Sequence, residues 1–543
     1  MESPAAPQQQ QRVSLGGVVA VLVCLSGFAL LFEITLVDLD RSARHIWTTA
    51  SNAVATTTAS DSDDAKDRIA ELGSEWMHDS PDKVVVPPGD LLHLSMLQAA
   101  CLEHKDPIIP WTFAQPGLDQ EVAPINLGRL VHENDPNLLE KLRACPAVDI
   151  YIPHGLRSHG YCEDATAYAK FVSLNDFWRN HLNSRLLPRW ALEKSMYDVQ
   201  LKKNVTYFDL CPQTPMIFFN HYLDGIPDSP LFPKDKPVYL MPNIEMYELN
   251  EKYYWNVDVV LCKTHVCKER ITQWYKQEGN PRNTKVFYTK HTTSDVANFA
   301  KHALGSDAVK PKDFMNVKFI HTAGTSVQKG TRQVIDCWLS RPDFPQLDLY
   351  INPDTFTWLV GEDDARVRAS MNINLSTGRL DPLTFGKNIA EASFFLCPSV
   401  MEGYGHYINQ ARASGGVIVT SNGPPMNELI ASSEMGVYVD TKRGKDGNMF
   451  LGGASTAEHA LKDVDGLKAV VSGDDICRAV EQVVYGTSVW QREAMAAKAK
   501  QQYHVDTAYF GRAMQRLARF ATKNNKQQQQ LEKPRLRQGE PAS

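Results

Sequence analysis

Short apolar runs punctuate the chain, and most of them do not alternate with polar residues. KVVV (Lys83 to Val86), PIIPWTF, VDIYIP, TPMIFF, PVYLMP, DVVLC and TKVFYT occupy the first half; VKFIHTAGTS, LDLYIN, FFLCPSV, GGVIVTS and GVYVD occupy the second. A strand apolar at every position suits a sheet covered on both faces, so the pattern predicts parallel α/β sheets and not a sandwich with a wet face. Between these runs lie helical patterns, in LLHLSMLQAACLEH, RWALEKSMYDVQLKK, THVCKERITQWYKQ, QKGTRQVIDCWLS and FGKNIAEA. The last part, DDICRAVEQVVYG, VWQREAMAAKAKQQY and DTAYFGRAMQRLARFA, predicts helices that cover the sheets or cross back over the cleft between them.

The order strand, helix, strand repeats twice, which predicts two doubly wound domains, 80–314 and 315–521. The stretch from Asn298 to Asn316, with GSDAVKPKD, reads as the linker. At 543 residues the chain exceeds the usual size of a single core, in agreement with two bodies.

The amino terminus has a different pattern. After a short tail, 1–12, the twenty positions Val13 to Phe32 carry no charge. As a helix they would span about 30 Å, the thickness of a bilayer core. A cleaved signal peptide competes for the same segment, but EITLVDLD beyond it offers no small-residue cleavage site. The expectation is a signal anchor over 13–37 and a flexible, Ser/Thr/Asp-rich stem over 38–79. The result would be a single-pass, type II protein of the Golgi or endoplasmic reticulum with lumenal domains. The charges flanking the span are nearly balanced, so orientation rests on the short leading tail. Asn204 in NVT and Asn374 in NLS are candidate glycosylation sites in that compartment. Residues 522–543, rich in Gln and Lys, read as a disordered tail.

Charge and cysteine content narrow the field. A net charge of -6 supplies no field for nucleic acid. Ten cysteines show no paired CxxC spacing, so buried thiols are the plain reading, with one or two disulfides permitted in a lumen.

The chemistry concentrates where FFLCPSV meets MEGYGH. Gly403 and Gly405 permit close backbone approach, the first N–H groups of the following helix are unsatisfied, and Glu402 can accept hydrogen bonds from hydroxyls. That combination suits a sugar joined to a diphosphate; a glycine turn in which Glu402 merely caps the helix is the plain alternative. HTAGTSVQKGTRQ forms a second candidate wall, with Gly324 after an apolar strand and Lys329 near a helix start.

Pro398, Ser399, Glu402, Gly403, Tyr404 and Gly405 resemble the signature of the family 4 retaining glycosyltransferases, which have the GT-B fold: two Rossmann-like domains facing across a cleft. GGVIVTSNGPPMNELI, with Gly415, Pro424, Pro425 and Glu428, is similar to the same family. The resemblance spans most of 315–520 and is weaker in the first domain. It implies transfer from a nucleotide sugar to a glycan, lipid or protein-linked acceptor with retention; no cofactor is expected, and no divalent metal, because Lys329 and helix amino ends would meet the phosphate charge. It gives Glu402 contact with the donor sugar and Lys329 the phosphate-binding role. Gly324, Thr325, Gly403, Tyr404, Gly405, Gln410, Pro425 and Glu428 complete the donor side, with capping or local pairing an equal alternative for Glu428.

Two departures stand out. Gln410 occupies the family's second acidic position, assigned to ribose hydroxyls, and Thr325 stands where many relatives carry an arginine. Arg332 and Lys387 are candidates to replace that missing charge. A membrane-tethered sugar-nucleotide or glycan-binding protein without turnover is the alternative that Gln410 favours.

On the acceptor side, PHGLRSHGYCED gathers His154, Arg157, His159, Glu163 and Asp164 after a strand, without a strong zinc spacing. MPNIEMYELNEKYYW adds Glu245, which could orient an acceptor hydroxyl, and the rings of Tyr247, Tyr253, Tyr254 and Trp255.

Overall fold

The computed structural model describes residues 86–115, 127–157, 160–172, 184–245, 249–444 and 458–536. The proposed anchor over 13–37 and stem over 38–79 lie outside the described residues. No helix among those described is long and apolar enough to cross a membrane.

The first sheet contains β1 (Ile109–Pro110), β2 (Asp149–Tyr151), β3 (Arg185–Leu187), β4 (Met216–Phe219), β5 (Val238–Met241), β6 (Val259–Cys262) and β7 (Lys285–Tyr288). Their order is β1-β3-β2-β4-β5-β6-β7, parallel except for the β1–β3 pair. The second contains β8 (Phe319–Gly324), β9 (Leu347–Ile351), β10 (Ile373–Thr377), β11 (Phe394–Cys397), β12 (Val417–Ser421) and β13 (Val437–Val439), ordered β10-β9-β8-β11-β12-β13 and wholly parallel. Both are the doubly wound α/β arrangement that the apolar runs predict.

Strand β11 shows why a run without alternation is the right signal. Phe394 and Leu396 point into the core covered by the helices Thr331–Ser340 and Gly473–Gly486, whereas Phe395 and Cys397 pack into the core on the opposite face. Each residue buries its side chain because each face has its own helical layer.

Strand order reverses between β2 and β4 in the first sheet and between β8 and β11 in the second. Pairing of β8 with β11 covers only Phe319↔Phe394 and Ile320↔Phe395, while β8 runs on to Gly324. The carboxyl ends therefore separate and leave the crevice in which ligands of such folds bind.

Several elements differ from the sequence reading. The proposed linker from Asn298 lies partly in a helix, Val296–Leu304, that packs on helix Pro382–Glu391 of the second body: a Cβ on Gly386 would come within 2.5 Å of the Val296 carbonyl. Val296, Ala297 and Val309 share a core with Ile389 and Phe395, so the chain crosses between bodies over 289–295, before the predicted boundary at 315. RWALEKSMYDVQLKK is helical only over Arg189–Glu193; Met196–Asp198 and Lys203–Val205 pair as a hairpin whose turn holds Lys202 at positive φ. The last two predicted helices are one, Val489–Leu536, which reaches into the stretch expected to be disordered. It returns to the first body, where Phe510 meets Tyr168 and Phe171 and Phe520 meets Phe287.

The cysteines also differ. Cys101–Cys162, Cys145–Cys211, Cys262–Cys267 and Cys337–Cys477 are disulfide-bonded, and Cys397 is a buried free thiol. Sequence could not pair residues separated by as many as 140 positions, because packing of helices Thr331–Ser340 and Gly473–Gly486 brings the last pair together.

Candidate functional site

Two turns leave the reversal point of the second sheet side by side. The first begins at Gly324, the last residue of β8, at φ 58°, and holds Lys329 and then Gly330 at φ 69° as N-cap of helix Thr331–Ser340. The second, after β11, is Pro398–Gly405, with Gly405 at φ 102° opening helix His406–Ser414. A Cβ on Gly330 would lie 2.1 Å from the carbonyl oxygen of Pro398. Only a residue without a side chain lets the turns approach so closely.

That approach joins the two predicted groups. Lys329 Nζ forms an ion pair and hydrogen bond with Glu402 Oε1, and both side chains are largely buried. The ammonium also lies 4.1 Å from the centre of the Tyr407 ring, while the Ser399 hydroxyl donates to Glu402 and contacts Tyr407 Oη at 2.6 Å. An ammonium and a carboxylate thus stand together at the mouth of the crevice.

The first body closes on the same turn through residues following β5. A Cβ on Gly403 would lie 2.6 Å from both Asn243 Oδ1 and Glu245 Oε2. Asn243 Oδ1 accepts from Lys263 Nζ at 2.6 Å. Glu245 Oε2 is buried without a hydrogen-bond partner. Burial raises the Glu245 carboxyl to about 7, against its own backbone N–H and Lys263, with the charge of Glu402 adding to the rise.

Deeper in the junction, Asp164 is a hub. Lys263 Nζ reaches its two oxygens at 3.0 and 3.1 Å, and His291 Nε2 and His406 Nε2 lie 2.8 and 3.1 Å from Oδ1. Burial works to raise the Asp164 pKa, but Lys263, His406 and His291 outweigh it and hold the group well below the usual carboxylate range. Burial lowers His291 to about 4, with Asp164 opposing. Asp164, His291 and His406 have the composition of a metal site, their ligand atoms lying within 4.8 Å of one another. The Lys263 ammonium already supplies the cation, so a divalent ion there would face a fixed like charge.

Other predicted residues fall in different settings. Gln410 Nε2 donates to Glu163 Oε1 at 3.0 Å, and Glu163 also accepts from the Ser294 hydroxyl and backbone N–H. Glu428 accepts from the backbone N–H groups of His265 and Val266, at 2.6 and 2.9 Å, and so caps helix His265–Glu278 of the first body. Tyr404 is buried, its hydroxyl donating to the His291 carbonyl and accepting from Asn409. Gly324 and Thr325 are exposed at the mouth, and Pro425 lines a small cavity with Lys263, Tyr404 and Glu428.

Neither candidate for the missing charge is free: Arg332 pairs with Asp336 and Asp363, and Lys387 is 3.8 Å from Glu391. His154 is exposed in a short 3-10 turn, while Arg157 is buried against the carbonyls of His104 and Pro107. His159 and Tyr247 lie outside the described residues. Asn204 and Asn374 are exposed on strands.

The sequence reading missed Asn243, His291, His406 and Tyr407. His291 stands in the crossing between bodies and His406 in a helix of the second, so nothing in local spacing announces their meeting at Asp164. Only the glycine turn flagged the neighbourhood of His406 and Tyr407.

No family model matches this chain. No curated protein matches it either. Among solved structures, a glycosyltransferase from Rickettsia africae aligns over 70% of this chain and 97% of its own, with 9% identity and a TM-score of 0.44. The α,α-trehalose 6-phosphate synthase of Burkholderia multivorans aligns over the same shares with 10% identity and a TM-score of 0.43. Anabaena HepE in complex with UDP-glucose covers 53% of this chain and 72% of its own, at 13% identity and 0.34. Likenesses at this level carry no ligand and no residue role to this chain.

Proposed function

We propose that this chain is a GT-B glycosyltransferase that moves a sugar from a nucleotide-sugar donor to a glycan, lipid or protein-linked acceptor. The observation that carries the reading is the Lys329–Glu402 pair at the reversal point of a parallel sheet, between two glycine turns and faced by Glu245 from the other body. Lys329 and the open amino ends of the following helices suit the diphosphate, and they stabilise the negative charge that grows as the sugar leaves. Glu402, once its lysine turns to phosphate, is an acceptor for sugar hydroxyls and fixes the sugar for attack.

Retention of configuration and membership of family 4 rest on the resemblance of PSVMEGYG. The site needs no cofactor and no divalent ion in this reading, because an ammonium and helix ends meet the phosphate. The amino-terminal apolar run supports a membrane anchor and lumenal location, with Asn204 and Asn374 exposed for glycans.

Gln410 favours a second reading, a nucleotide-sugar or glycan-binding protein without turnover, since its amide is taken up by Glu163. A screen of UDP-, GDP- and CMP-sugars against the full chain, read by released nucleotide and by thermal shift, separates the two. Turnover supports the transferase; thermal protection by a donor with no nucleotide release supports the binding protein; neither effect removes both.

A further inference from the structure

We propose that Glu245 is the acceptor-binding catalytic residue: its unpaired Oε2, held against Gly403, receives the acceptor hydroxyl opposite the donor sugar held by Glu402. The inference rests on the transferase reading and deepens it. Glu245 comes from the first body, on the segment that leaves the carboxyl end of β5, and it reaches across the junction to the glycine turn of the second. Among the acids around the turns, Glu402 accepts from Lys329 and Ser399, Asp164 from Lys263, Glu163 from Ser294 and Gln410, and Glu428 from two backbone N–H groups. Glu245 Oε2 is buried and has no donor.

A buried carboxylate oxygen without a donor is costly, and a hydroxyl is the neutral group that would satisfy it. Gly403 forms one wall of this position and admits no side chain there, since a Cβ would meet Glu245 Oε2 at 2.6 Å. A hydroxyl held by Glu245 is therefore placed beside the turn that carries Glu402, where the sugar's anomeric carbon would lie.

The carboxyl is also suited to take a proton near neutrality, since burial raises it to about 7. In the step, the acceptor oxygen forms a bond to the anomeric carbon on the face from which the phosphate departs, as retention requires. The bond from that carbon to the phosphate oxygen breaks, with its electron pair leaving on the nucleoside diphosphate. The hydroxyl proton passes to Glu245.

The experiment compares full-length wild type with Glu245→Gln and Glu245→Asp. Donor affinity is measured by calorimetry with the best donor from the UDP-, GDP- and CMP-sugar screen, and transfer is measured to a panel of methyl and p-nitrophenyl glycosides. We expect Glu245→Gln to keep donor affinity within about threefold, to lose transfer by about 100-fold or more, and to lose the pH limb near neutrality, with Glu245→Asp recovering part of the rate. Unchanged transfer in Glu245→Gln, an equal loss of donor affinity, or a wild type that binds donor yet uses no glycoside would each overturn the acceptor role. Failure of the wild type to bind any donor would instead remove the transferase reading itself.

Discussion

Gln410 of the second body donates its side-chain amide to Glu163 of the first, at 3.0 Å, in a junction where Glu163 also takes both donors of Ser294. This contact gives a physical reason for a glutamine at the place where the family resemblance leads one to expect an acid. A carboxylate at 410 would face the Glu163 carboxylate across a half-buried contact. The amide instead supplies the donor that the pair requires.

Gln410→Glu should therefore weaken the closed junction. The cost expected for two opposed, poorly solvated acids is about 1–3 kcal/mol, seen as a lower thermal midpoint at pH 7. Glu163→Gln combined with Gln410→Glu should recover most of that loss, because the donor and acceptor merely change places. Additive losses in the double variant would show that the two side chains do not interact.

The glycines of the turns separate packing from backbone strain. Gly330→Ala drives a methyl into the Pro398 carbonyl and also opposes a left-handed backbone, whereas Gly324→Ala opposes φ alone and meets nothing within 4 Å. The second substitution should cost about 1 kcal/mol and the first clearly more, about 2–4 kcal/mol. Denaturant midpoints of the two variants measure the difference. Equal midpoints would show that the turns are not held in contact.

Acid should destabilise the protein well above the carboxylate range. Burial lowers His291 and His321 to about 4 and His93 to about 3. The unfolded chain takes up these protons near 6.5 while the folded chain resists them, so stability is fully present above about 6.5 and falls as pH drops toward 4. Glu245 works in the opposite sense: its raised value of about 7 makes its contribution greatest below about 4.5 and lost as pH rises through 7. Three histidines, each worth about 1–2 kcal/mol between pH 7 and 5, with His221 and His504 shifted in the same direction, work against the raised carboxyls of Glu245, Asp295 and Glu428. The urea midpoint should accordingly fall over that interval, and His291→Asn should flatten part of the decline.

Peptide mapping without reduction should recover the pairs 101–162, 145–211, 262–267 and 337–477, with Cys397 labelled only after unfolding. Reduction should lower stability by about 2–5 kcal/mol for the loss of a long-loop bridge such as Cys337–Cys477. A map in which those two cysteines are free thiols would contradict the pairing.

What the sequence made legible follows from which signals are local. FFLC and VVLC are apolar at every position because helices cover both faces, and that property is written in the run itself. Helix Val296–Leu304 escaped because its buried face is Val296, Ala297 and Ala300, small residues beside the turn-like GSDAVKPKD. The hairpin in SMYDVQLKKNV was hidden by good helix formers, and its paired strands overrode that propensity. The placement of Lys329 and Glu402 at neighbouring strand ends was legible because each sits beside glycines. A capping role for Glu428 was open in the sequence, but not the helix it caps, which belongs to the other body. The same holds for the meeting of Asp164, Lys263, His291 and His406, which depends on the relative placement of four separate segments.

If Lys329 and Glu402 grip one nucleotide sugar from two sides, binding to the single variants separates their parts. Calorimetry with the nucleoside diphosphate and the intact donor should show Lys329→Ala weakening both by about tenfold or more. Glu402→Gln should leave the diphosphate nearly unchanged while cutting turnover of the sugar nucleotide by about 100-fold. If both variants bind and turn over the donor as wild type does, the pair does not hold the sugar nucleotide.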